Sequence, residues 1–124
     1  MLSIAHVICT EQFAGVERHT VMLAAAQAAA GNEVTVIGGH PRWMAHHLRG
    51  SNVGWAPAAG IAGALRSLRA LGPMDVVNAH MTRAEAAAVG GSRSGSLVVA
   101  TRHFALPRGS SRPVRWGARL AARG

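Results

Sequence analysis

The residues best suited to chemistry here are histidines that close apolar runs and a glycine that opens a helical one. His80 follows Asp75-Val76-Val77-Asn78-Ala79, and His103 follows Val98-Val99-Ala100-Thr101-Arg102. An imidazole at a strand end can donate a hydrogen bond or a charge to an oxygen, because it titrates near neutral pH. Arg102 and His103 suit an anionic or hydroxylated group, and Asn78 can hydrogen-bond without titrating. Gly15, between Ala14 and Val16, precedes an Ala-rich stretch. The free N–H groups and positive dipole end of such a helix suit a phosphate, although a glycine before a helix is also ordinary turn composition.

Other reactive residue types read more plainly. His6 lies inside the first apolar run and is expected to be a core histidine with satisfied nitrogens. His46 and His47 are adjacent, so they are expected to point apart on a helix, and no acid or Cys joins them and His40 as a metal set. A solvated helix face is the expectation there, and no metal site is expected. Cys9 is the only cysteine, which excludes an internal disulfide and reads as a small core residue. Trp43, Trp55 and Trp116 do not interleave with basic residues as base-stacking platforms do. The chain has no G-x-G-x-x-G and no lysine, so dinucleotide and Walker-type phosphate motifs are both missing.

The elements that position these residues follow from short apolar runs alternating with Ala-rich stretches. Strands are expected over Leu2–Cys9, Glu33–Gly38, Asn52–Ala56, Asp75–Ala79 and Ser96–Thr101. Helices are expected over Val16–Ala30, Pro41–Arg49, Ile61–Leu71 and Thr82–Val89, with a turn over Gly90–Gly95. Strands alternating with helices predict an α/β, Rossmann-like doubly wound parallel sheet of about five strands in the order 3-2-1-4-5. That order reverses between strands 1 and 4, and ligands of such sheets sit in the crevice beyond the carboxyl ends there. The loops Thr10–Val16 and Asn78–Arg83 would face each other, joined by Arg102–Phe104.

A length of 124 residues suits one domain, and 49% hydrophobic with 15% charged residues excludes a disordered, charge-rich chain. No basic segment precedes the apolar opening, and Val21–Ala30 is too short to span a bilayer, so a cytoplasmic protein is expected. The net charge of +8 is uneven. Residues 1–85 carry six Arg against five acids, whereas residues 86–124 carry seven Arg and no acid.

Several stretches resemble glycosyltransferase family 4. Phe13-Ala14-Gly15-Val16-Glu17-Arg18-His19-Thr20-Val21-Met22-Leu23-Ala24 is similar to the family's first loop and helix. Ala28-Ala29-Ala30-Gly31-Asn32-Glu33-Val34-Thr35-Val36 looks like its entry into strand 2, and Asp75-Val76-Val77-Asn78-Ala79-His80 like its fourth strand. Val98-Val99-Ala100-Thr101-Arg102-His103 resembles the next strand and loop, so the likeness runs in order over about residues 1–104. It implies a retaining enzyme of GT-B architecture that moves a sugar from a nucleotide-diphosphate sugar to an acceptor hydroxyl, with no metal or other cofactor. Gly15, flanked by Ala14 and Val16, would approach the donor diphosphate, and His80 would lie at the reacting centre. Asn78, Arg102 and His103 would contribute to substrate binding. Where the family has paired glycines this chain has Ala14-Gly15, and Asn78 stands where the family has a histidine.

The same resemblance implies an incomplete GT-B N-terminal, acceptor-side domain. Residues 1–104 would form the Rossmann-like part, and residues 105–124 an Arg-rich loop and truncated helix. The C-terminal, donor-binding domain is not among these residues, so the chain alone is expected to be inactive. The Arg-rich end reads either as part of an interrupted domain or as a surface meeting anionic lipid at the inner membrane face. Nucleic acid ranks last as a partner. A Rossmann-like binding module without catalysis and a basic polyanion-binding module are the alternatives from other classes.

Overall fold

Residues 1–8, 15–80, 95–102 and 112–115 are described by a computed structural model of the chain. Their elements are β1 (Ser3–Ile8), α1 (Gly15–Ala29), β2 (Glu33–Ile37), α2 (Pro41–Leu48), β3 (Gly54–Ala56), α3 (Ile61–Leu71), β4 (Val76–His80), β5 (Leu97–Arg102) and β6 (Arg112–Arg115). They form one sheet in the order β3-β2-β1-β4-β5-β6. The first five strands are parallel, in the expected 3-2-1-4-5 order. The fold is α/β and Rossmann-like.

Strand alternation divides the core into two layers. Ala5, Val7, Val77, Ala79 and Val98 face α3, where Ala64 and Leu68 meet them. Ile4, Ile8, Val34 and Val36 face the other way, onto Val21 and Ala24 of α1 and Met44 and Leu48 of α2. Both faces of the central strands are therefore covered, which is why β-branched residues run through them without a solvent-facing alternation. Because α1 and α2 lie on one face and α3 on the other, the winding reverses between β1 and β4. That is the switch point predicted from the sequence order.

Local chemistry sets several boundaries. Pro41 occupies the first turn of α2, where its missing N–H is no loss, and the His40 side chain accepts from Trp43 N at 3.5 Å. Gly72 follows α3 with φ 80°, a left-handed stop. At the amino ends of β1 and β4, Ser3 N and Oγ donate to Asp75 Oδ2 at 2.8 and 3.1 Å. Asp75 N donates back to Ser3 O at 3.0 Å, so the two central strands are clamped where they begin.

The structure corrects the reading of the sequence in three places. Residues 105–124 were expected as a loop and a truncated helix, but Arg112–Arg115 forms β6, antiparallel to β5. The intervening residues 103–111 are too few for a parallel crossover, which takes a dozen or more, so an added strand can only run back. Pro113 is tolerated there because an edge strand has one unpaired side. Second, His80 belongs to β4 itself, and Arg102 to β5. Third, β3 is limited to three residues, starting at Gly54. The expectations for Cys9, the Thr82–Val89 helix and Trp116 fall outside the described residues.

Candidate functional site

The α1-facing side of β1, β4 and β5 carries a polar stripe across an otherwise apolar sheet. His6 and His80 are each fully buried, and Thr101 is nearly so. Register places Asn78 beside His6 and Thr101 beside His80, while Ile8, the last residue of β1, pairs with His80. Residues two apart on a strand share a face, so Asn78 and His80 lie on the same side. Thr101 Oγ1 donates to Asn78 Oδ1 at 2.8 Å, which ties β5 to β4 within the stripe.

His6 is the centre of this arrangement. Its Nδ1 lies 3.0 Å from His80 Nε2, and its Nε2 lies 2.6 Å from Gln27 Oε1 on α1. The rings of His6 and His80 are 5.2 Å apart and tilted by 39°. Burial pushes the His6 imidazole below its ordinary value, the Gln27 hydrogen bond opposes that shift, and the charge of His19 adds to it. An interior imidazole is tolerable because both nitrogens are partnered. His6 is thus a satisfied core histidine, as its place in the first strand suggested, but the partner on one side is the candidate His80.

The remaining predicted residues divide between packing, polar contact and segments outside the description. Gly15 is the first residue of α1, and no described atom lies within 4 Å of where its Cβ would stand. Val16 packs against the α1-side core, and its carbonyl accepts from Thr20 Oγ1 at 2.8 Å. Asn78 is half-buried and engaged with Thr101. Arg102 ends β5 opposite Arg112 of β6. Ala14 and His103 lie outside the described residues. The structure therefore brings His80 and Asn78 together on β4, with Gly15 heading the helix that covers their face.

Two features had no place in the reading of the sequence. The His6–Gln27 contact needs strand register and helix register together, and neither residue advertises the other along the chain. The second is Gly38-Gly39 after β2, with φ 101° and 88°. A Cβ on Gly38 would overlap the Ile8 carbonyl oxygen, so β2 leaves the sheet in direct contact with the end of β1. Trp55 Nε1 donates to Gly38 O at 2.7 Å and holds that exit. A glycine pair closing an apolar strand is the signal that marks it.

The exposed histidines of α2 form an aromatic edge. His46 and His47 were expected to point apart, yet their ring centroids are 5.1 Å apart in an edge-on arrangement, and Trp43 lies 6.2 Å from each. Long side chains bend towards the preceding turn and so meet where ideal backbone directions diverge. Among the described residues no group of three His, Cys, Asp or Glu gathers as a metal set. Nor is any helix among them long and apolar enough to cross a membrane. No protein-family model matches the chain, and searches of curated proteins and of solved structures found no match.

Proposed function

We propose that this chain is the acceptor-side, N-terminal domain of a retaining glycosyltransferase similar to family 4. The observation that carries the reading is a juxtaposition at the carboxyl end of the two central strands. His80 closes β4 directly opposite Ile8, which closes β1, and Gly15 opens the helix that follows β1. In a doubly wound sheet that is where ligands bind. The ordered motifs over residues 1–104 give this crevice its chemistry.

In the proposed reaction the bond between the anomeric carbon and the donor diphosphate breaks, and a bond to the acceptor oxygen forms on the same face. The proton of the acceptor hydroxyl passes to the departing diphosphate oxygen, and the nucleoside diphosphate leaves with the bonding electron pair. Gly15 and the following N–H groups of α1 face the diphosphate, where a bare backbone and a positive helix end stabilise its charge. His80 stands beside the reacting centre, Ala14 and Val16 flank Gly15 at the donor diphosphate, and Asn78, Arg102 and His103 complete the acceptor side. The donor's nucleotide is held by a second domain. The Arg-rich end suits a surface that meets anionic lipid.

The test is turnover of UDP-, GDP- and ADP-sugars by the full-length protein, read as release of nucleoside diphosphate. His80→Ala is expected to lower kcat by roughly two to four orders of magnitude while circular dichroism stays native-like. Unchanged turnover in a folded His80→Ala variant removes His80 from the site. Absence of turnover with every donor contradicts the reading as a whole.

A further inference from the structure

Resting on that reading of His80, the geometry points to His6 and Gln27 as positioning residues that confine the proton chemistry of His80 to its Nδ1. The argument is one of donors and acceptors. Gln27 Oε1, 2.6 Å from His6 Nε2, can only accept, so His6 Nε2 carries a proton. The buried His6 is neutral, because enclosure disfavours its charged form. A neutral imidazole has one protonated nitrogen, so His6 Nδ1 presents a lone pair. His80 Nε2, 3.0 Å away, must then be the donor. With its Nε2 proton committed to His6, His80 has Nδ1 as the nitrogen through which it can gain or lose a proton.

The relay starts on the last turns of α1 and ends at the carboxyl edge of β4, so it links the helix headed by Gly15 to the strand that delivers His80. Its members sit on rigid elements, which fixes ring orientation as well as tautomer. A purely structural pair would need only two satisfied rings, in either direction. The relay has one direction, set by the Gln27 carbonyl oxygen. Both rings are fully buried, so water cannot readily substitute for a missing partner.

The direction is measurable in the 124-residue chain without any assay of transfer. Two-dimensional 15N–1H correlation through the imidazole carbons reports which nitrogen of each ring bears the proton. In the unaltered protein near pH 7.5, His6 is expected as the Nε2–H tautomer, with His80 Nε2 also protonated. His6 found as the Nδ1–H tautomer, or His80 found with an unprotonated Nε2, overturns the proposal. Gln27→Leu, which removes the acceptor, is expected to shift the His80 nitrogen resonances towards a tautomer mixture. Unchanged His80 resonances in a folded Gln27→Leu variant would also overturn it. Expected tautomers together with no nucleotide-sugar turnover would leave the relay standing and remove the enzyme reading, so the two failures are distinct.

Discussion

Gly15 is a residue at which packing and the proposed ligand contact can be tested separately. Its backbone needs no glycine: φ is not in the left-handed region, and no described atom would crowd a Cβ. Gly15→Ala is therefore expected to leave stability unchanged or raise it by a few tenths to about 1 kcal/mol, since alanine is the better helix former. If Gly15 meets the donor as proposed, donor use should suffer instead, with KM for the nucleotide sugar rising on the order of tenfold or more as the added methyl holds the diphosphate off the backbone. Thermal melting and initial rates on the same preparation check both halves. Asn78 was readable as a hydrogen-bonding group from its type alone, whereas its partner Thr101 emerged only from the β4–β5 register.

At the scale of elements, the exit of β2 beside β1 leaves the least room for a Cβ among the described glycines. Gly38 combines φ 101° with no room for a Cβ beside the Ile8 carbonyl, while Gly31 has φ 100° and open space around it. Gly38→Ala should cost at least about 3 kcal/mol, and Gly31→Ala only about 1 kcal/mol of backbone strain. Equal losses in urea unfolding would mean that β2 and β1 do not meet this closely. Most elements were legible because their pattern is strong: after Glu33, β2 is β-branched at each of Val34, Thr35, Val36 and Ile37, and Leu68 and Leu71 of α3 both turn towards one core. β6 was not, because Arg112-Pro113-Val114-Arg115 has no alternation of its own and becomes a strand only through the free edge of β5. His6–Gln27 was equally hidden, since it depends on how α1 is rotated over the sheet.

Across the whole molecule, acid should act in two separate windows. His6 has its folded value below the unfolded 6.5, so the unfolded chain takes up the proton more readily. Its contribution is intact above about pH 6.5 and is lost as pH falls from there towards the folded value, with a slope of at most about 1.4 kcal/mol per pH unit for one proton. His19, whose charge lowers His6 further, and His80, which faces it from β4, belong to the same environment. Asp75 behaves at lower pH. Its hydrogen bonds from Ser3 hold the carboxyl below 3.8, so its contribution is present above that value and lost only as pH falls beneath it. Chemical denaturation across pH 4.5–7.5 should show the first slope in the unaltered protein and a smaller one in His6→Phe; equal slopes would place the titration elsewhere.

The sheet order, the covered faces and the switch point make a frame on which many chemistries are built, so the proposal of sugar transfer rests on the crevice between β1 and β4 rather than on the fold. The most direct test is the configuration of the product. Full-length protein, a nucleotide sugar that it consumes and its acceptor should yield a glycoside whose anomeric proton coupling matches that of the donor linkage, with one nucleoside diphosphate released per bond formed. Consumption of no nucleotide sugar, or a product of inverted configuration, would contradict the assignment of this chain to a retaining glycosyltransferase.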